Sequence, residues 1–151
     1  MICGMGSLSA TVKNAGRLML IVIGFAISLS ACNNSPGASG EGIRFFEGNF
    51  SQALEKAAAE NKLVFLDAHT DWCGYCRKMK RQVYSDKSVG EAFNAKFVSI
   101  SVDMEKGEGP ELAYRYGVSL YPTLFILDAQ GNVVKGTKGF QSVPELLEFA
   151  R

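Results

Sequence analysis

The chain has 151 residues, 47% hydrophobic and 21% charged, an ordinary globular composition that excludes a disordered chain and a large multidomain enzyme. Sixteen Lys and Arg stand against fifteen Asp and Glu, so a nucleic-acid binder with a strongly basic footprint is excluded as well. Four cysteines are too few for a disulfide-dense scaffold.

Residues 1–31 read as an export signal. Lys13 and Arg17 are their only charges, and the apolar run Leu18 to Leu29 follows at once. A membrane-spanning helix needs about 20 apolar residues, so this run has the length of a signal core. Leu29-Ser30-Ala31-Cys32 closes the segment with small residues and resembles the bacterial lipobox. That resemblance implies cleavage before Cys32 and a diacylglyceryl group on its thiol, which would anchor the protein to a membrane. The alternatives are a transmembrane anchor and an ordinary signal with a chance cysteine. The expected location is the periplasmic face of the cell envelope. Asn33 in place of Asp after the cysteine favours the outer membrane over the inner. Loss of residues 1–31 removes Cys3 and leaves 14 cations against 15 acids. Cys73 and Cys76 are then the free thiols, in a compartment without glutathione buffering.

Residues 32–42 contain Asn, Ser, Pro and Gly and nothing that anchors a core. They read as a lipid-anchored flexible linker with a reach of about 17 Å. Residues 43–151 then form one domain of alternating elements. Ile43 to Phe46 has the pattern of a short strand. Asn49, with Gln52 three residues on, predicts a capped helix ending near Asn61. This helix carries Phe50, Leu54 and Ala57 or Ala58 on one face. Leu63 to Leu66 is a continuous apolar run, as in a buried central strand. A second helix starts at Cys73, with Cys76, Met79 and Val83 as its buried stripe. Ser88 to Phe93 is a short helix at most, and Phe97 to Val102 a strand. Pro110 opens a helix at its first position after the Gly107–Gly109 turn, and Gly117 closes it. Thr123 to Leu127 is a strand, Asp128 to Asn132 a hairpin turn, and the chain returns antiparallel from Val133. Ser142 caps a last helix reaching Phe149. The fold class is α/β, with a central mixed sheet and helices on both faces.

The chemistry lies in Trp72-Cys73-Gly74-Tyr75-Cys76. Two cysteines three apart, after a buried strand and at a helix start, are a redox motif. Cys73 meets the unpaired N–H groups and positive dipole end of the helix, which favour its thiolate. Cys76 is one turn on, facing inward and within disulfide reach. Cys73 would attack a partner disulfide, and Cys76 would resolve the mixed disulfide. Gly74 permits a tight turn and close approach of substrate backbone. A structural zinc site lacks its second cysteine pair, and a c-type haem lacks the histidine, since Arg77 follows Cys76. Copper binding through the cysteines with His69 or Met104 stays open as an alternative.

Asp67, Asp71-Trp72-Cys73-Gly74-Tyr75-Cys76 and Tyr121-Pro122-Thr123 together resemble the thioredoxin superfamily over about residues 50–150. Bacterial thioredoxin-like lipoproteins and the C-terminal domain of the transmembrane thiol–disulfide interchange reductase are the similar branches. The resemblance implies a cis Pro122 beside the two cysteines, with Tyr121 offering its backbone to substrate and Trp72 and Tyr75 bordering the groove. It implies that Asp67, six residues before Cys73, exchanges a proton with Cys76. A carboxylate that ends an apolar strand has a raised pKa, which suits a base; the alternative is a loop cap. Ser99 stands where thioredoxin has a lysine near this carboxylate, so that partner is missing. Gly-Tyr between the cysteines, in place of Gly-Pro, also occurs in periplasmic disulfide isomerases. His69 is the only histidine and is placed either to tune the nearby thiolate or as an exposed loop group.

The resulting expectation is a monomeric thiol–disulfide oxidoreductase of the periplasm, acting as a reductase. It takes electrons from a membrane-embedded donor and passes them to protein disulfides, with no cofactor beyond its own dithiol. A disulfide isomerase, a copper-handling thiol protein and a non-catalytic binding module are the alternatives.

Overall fold

The computed structural model describes residues 41–151; residues 1–31, read as an export signal, Cys32 and most of the expected linker lie outside them. Five helices and four strands follow one another as α1 (Phe50–Glu60), β1 (Leu63–His69), α2 (Gly74–Gln82), α3 (Lys87–Lys96), β2 (Phe97–Asp103), α4 (Gly109–Tyr116), β3 (Thr123–Leu127), β4 (Val133–Lys138) and α5 (Val143–Phe149). The sheet order is β2-β1-β3-β4. β1 runs parallel to β2 and antiparallel to β3, and β3 and β4 form the antiparallel hairpin. This is the mixed α/β sheet expected from the pattern.

Alternation along the strands divides the interior in two. Val64, Leu66 and Ala68 of β1 join Val98, Ile100 and Val102 of β2 in a core covered by Phe50, Ala53 and Ala57 of α1 and Leu112 of α4. Phe65, Leu124 and Ile126 point the other way, into a core closed by Met79 of α2, Val89 and Phe93 of α3, and Leu146 of α5. Phe65 is fully buried and sits among aromatic rings, 4.8 Å from Phe93 and 6.2 Å from Tyr84 between centroids. Helices therefore flank both faces.

Local signals account for the element ends. Asn49 and Gln52 form the expected reciprocal capping box of α1, and Asn61 ends the helix in the left-handed conformation. The Ser142–Glu145 box starts α5. Gly117, with φ of 62°, closes α4.

Five details differ from the sequence reading. Ile43–Phe46 forms only one bridge, Phe45 to Ser99. Its other backbone groups are diverted: Ile43 N–H donates to the Tyr84 carbonyl and Arg44 N–H to the Asn94 side chain. Gly42, assigned to the linker, is also held, its carbonyl accepting from Asn94. The helix around Ser88 is ten residues long, because Asp86 caps it through Ser88 and Val89. Its interior Gly90 is needed, since a Cβ there would strike the backbone of Glu41 and Gly42. β1 continues past Leu66 to His69, so Asp67 lies within the strand and does not end it. Gly109 takes the first position of α4, which moves Pro110 to the second.

Candidate active site

Strand β1 delivers the site. Its C-terminal end leads through Thr70 and Asp71 into the loop before α2, and Cys73 N-caps that helix. The Cys73 and Cys76 thiols are joined as a disulfide, with Cα atoms 5.3 Å apart. Cys73 Sγ accepts the backbone N–H of Cys76 at 3.1 Å. That donor, at the positive end of the helix, is the kind of group that stabilises a thiolate once the bond is reduced. Both cysteines are nearly covered, at 5% and 7% exposure, so a partner must approach along the rim around them.

Aromatic groups supply that rim. Trp72 and Tyr75 are exposed. Trp72 meets Tyr121 edge-on at 5.8 Å, and its indole N–H donates to Glu105 at 3.0 Å. Tyr75 lies 6.4 Å from Phe140, over which the Lys78 ammonium sits. Gly74 has open space around it, with only Arg77 at 4.0 Å from a would-be Cβ. The Tyr121–Pro122 bond is cis. Thr123 pairs with Ala68 in the sheet, which places Pro122 level with the end of β1 where the cysteine loop begins. The Trp72, Tyr121 and Pro122 positions thus gather at one end of the sheet with the cysteines.

Asp67 shares a sheet face with Phe65, on the α2 side, and is 5% exposed. Asp67 and Cys76 line the same cavity of about 380 Å³, together with Phe45, His69, Lys80 and Tyr84. Burial raises the Asp67 pKa above the ordinary carboxylate value, although a hydrogen bond from Ser101 and the nearby His69 act in the opposite sense. Ser101 Oγ donates to Asp67 Oδ2 at 2.8 Å, while Oδ1 has no protein partner. Burial, followed by the Asp67 charge, pushes the Tyr84 hydroxyl well above its usual pKa.

Ser101 and Tyr84 were not singled out from the sequence. Ser101 is the parallel register partner of Asp67, and register is not readable before the strands are paired. It supplies the hydrogen bond that Ser99 does not, because Ser99 lies beside Phe65. His69 is the last residue of β1, and its Nδ1 lies 3.1 Å from Ser101 Oγ. It therefore belongs with Asp67, on the side of Cys76. Met104 is 3% exposed and packs in the opposite core, so it does not converge with the cysteines as a copper ligand. Ligand atoms of His69, Asp71 and Asp103 lie within 4.8 Å of one another, but Lys106 pairs with both carboxylates.

A family model described as a thioredoxin-like domain matches residues 50–151. The thiol:disulfide interchange protein DsbD of Haemophilus influenzae is 29% identical over 112 residues, covering 72% of this chain and 19% of that protein. The chain thus spans about a fifth of that relative's length. A candidate disulphide-isomerase from Bacteroides thetaiotaomicron is 45% identical, with a TM-score of 0.66 over 74% of this chain and 92% of that one. The oxidised C-terminal domain of Neisseria meningitidis DsbD is 25% identical, with a TM-score of 0.57 over 70% and 95% of the two chains.

Proposed function

The chain belongs to the thioredoxin-like family and is a thiol–disulfide oxidoreductase, and from that premise we propose that it reduces protein disulfides in the bacterial periplasm while tethered by lipid on Cys32. The observation that carries the redox reading is the pair of cysteines at the start of α2, with Cys76 and the buried Asp67 opening on one cavity.

In the reduced enzyme Cys73 is the nucleophile. Its thiolate attacks one sulfur of a partner disulfide, a new S–S bond forms to Cys73, and the partner's other sulfur leaves as a thiolate. Asp67 takes the proton of Cys76. The Cys76 thiolate attacks Cys73 Sγ, the bond from Cys73 to the partner breaks, and the second partner thiolate is released. The partner gains two electrons and Cys73–Cys76 loses two. Trp72, Gly74, Tyr75, Tyr121 and Pro122 form the surface that receives the partner. The dithiol is the only redox group required, so no cofactor enters, and the chain acts as a monomer.

Electrons return from a membrane-embedded donor that reduces Cys73–Cys76. Likeness to DsbD, whose name describes thiol:disulfide interchange, supports a place in such a chain of exchanges. A lipid tether at Cys32, outside the described residues, raises the effective concentration of the domain at the membrane where the donor sits. Among the described residues no helix is long and apolar enough to cross a membrane.

The test is the redox state in growing cells. After acid quenching and alkylation with a heavy maleimide, the protein is expected mainly as dithiol; an almost wholly oxidised pool would overturn the reductase reading. Fatty-acid labelling of wild type but not Cys32→Ala is expected, and equal labelling refutes the anchor. One observation favours a second reading, isomerisation: the 45% identity to a candidate disulphide-isomerase. Recovery of activity from scrambled ribonuclease, at rates above its insulin reduction, would support it.

A further inference from the structure

Asp67 has a difficulty as a proton carrier. It is 5% exposed, yet a base that accepts a proton in one half of a cycle must release it before the next. We propose that Asp67, Ser101 and His69 form a hydrogen-bonded relay that carries the Cys76 proton between the buried carboxylate and solvent, with Ser101 and His69 as its positioning residues. The inference rests on the dithiol reading above and adds the path by which its base is reset.

The geometry is that of a bridge. Asp67 Oδ2 and His69 Nδ1 are 3.9 Å apart, too far for a direct hydrogen bond. Ser101 Oγ lies between them, 2.8 Å from the carboxylate and 3.1 Å from the imidazole. The His69 side chain is 24% exposed against 7% for that of Asp67, so the path runs from the interior to water. Two adjacent parallel strands build it. Asp67 and His69 lie two apart on one face of β1, and Ser101 of β2 faces Asp67 in register.

A serine hydroxyl has one proton and can accept at its lone pairs. Ser101 can therefore hold either of two orientations. When Asp67 carries the proton, the carboxyl O–H donates to Ser101 Oγ and the Ser101 O–H donates to His69 Nδ1. Transfer along both bonds leaves the Asp67 carboxylate, a Ser101 O–H now donating back to it, and an imidazolium whose Nδ1–H donates to Ser101. His69 then loses a proton from Nε2 to water. One proton has left the interior, and Ser101 ends with one as it began. The reverse sequence supplies a proton to Cys76 when the disulfide is reduced by the donor.

Asp103 of β2 and Asp71 of the cysteine loop bring carboxylate oxygens within 4.8 Å of a His69 ring nitrogen, and Lys106 pairs with both acids. Arg77 and Lys80 of α2, with the Tyr84 hydroxyl beyond its end, face the same cavity from the other side. The cations there favour the Asp67 anion that the transfer leaves behind.

The test follows resolution of a mixed disulfide by stopped flow, with Trp72, the only tryptophan, as the fluorescent probe. Wild type, Ser101→Ala, Ser101→Thr and His69→Ala are compared at low buffer concentration, with and without imidazole. Formation of the mixed disulfide is expected to be alike in all four. Resolution is expected to slow roughly ten-fold in Ser101→Ala and His69→Ala, to stay near wild type in Ser101→Thr, and to recover in His69→Ala in proportion to added imidazole. Unchanged resolution in both truncations, or slowing in His69→Ala that imidazole does not relieve, would overturn the relay. Failure of the wild type to form any mixed disulfide would instead overturn the dithiol reading beneath it.

Discussion

Replacing Asp67 by Asn should alter how stability depends on pH, and the sign follows from burial. The carboxyl has an ordinary pKa of 3.8 and is raised in the folded protein, first by its removal from water. Between 3.8 and the raised value, the folded protein binds more protons at this site than the unfolded chain. Stability therefore falls as pH rises through that window. One whole proton of difference corresponds to about 1.4 kcal/mol per pH unit, which is the limiting slope. Asn keeps the shape and can still accept from Ser101, but it does not ionise. Urea unfolding of the oxidised protein at intervals from about pH 3 to about pH 9 measures the effect. The difference between Asp67→Asn and wild type should be flat below the ordinary carboxylate value. It should then grow in favour of the variant and level off once wild-type Asp67 is fully ionised. Parallel curves throughout would refute the claim that burial outweighs the groups that favour the Asp67 carboxylate.

Three further outcomes are expected. In the reduced protein, the thiol left in Cys76→Ser should be alkylated faster at neutral pH than the thiol left in Cys73→Ser, because Cys73 caps α2; the opposite order reverses the assignment of nucleophile. Phe65→Ala empties the centre of the aromatic cluster beneath α2 and α3 and should cost about 3–5 kcal/mol in urea unfolding. Gly90→Ala sets a methyl against the backbone of Glu41 and Gly42, costing about 1–3 kcal/mol; faster amide exchange at Ile43 and Phe46 should accompany it, and wild-type exchange there would show the contact to be dispensable.

How far the sequence was legible depends on the range of the interaction involved. Caps and turns act over a few residues, so Asn49, Ser142, Gly117 and the Asp128–Asn132 turn could be read directly. The Cys73–Cys76 spacing is likewise local. The single-bridge character of Ile43–Phe46 was not legible, because its hydrogen-bond partners are Tyr84 and Asn94, some forty to fifty residues away. Helix α3 is longer than the Ser88–Phe93 segment expected; its Gly90 has poor helix propensity, and the tertiary contact that requires a glycine there is invisible in one dimension. Apolar continuity in β1 ends at Leu66 and so marks the strand's end too early. The strand continues with polar residues on one face, and Ala68 still fills the other core. The residues of the proposed relay split in the same way. Asp67 was implied by the thioredoxin resemblance, while Ser101 depended on the pairing of two strands.

The placement of Asp67 also explains how one helix serves both structure and chemistry. Along the α2 face of the sheet, β1 presents Phe65 and then Asp67, and β2 presents Ser99 and Ser101 beside them. The C-terminal half of α2 and the turn after it lay Met79, Val83 and Tyr84 on the aromatic end of that face. The helix's first turn holds Cys76 over the cavity that Asp67 lines. Packing at the aromatic end fixes the helix, and the fixed helix holds the disulfide over the polar end. An apolar residue at position 67 would remove the orphaned Oδ1 and the desolvation that raises its pKa, and on stability alone it would be favoured. The carboxylate is therefore a local cost of the fold, and the proposed proton transfer from Cys76, which lines the same cavity, would give that cost a use.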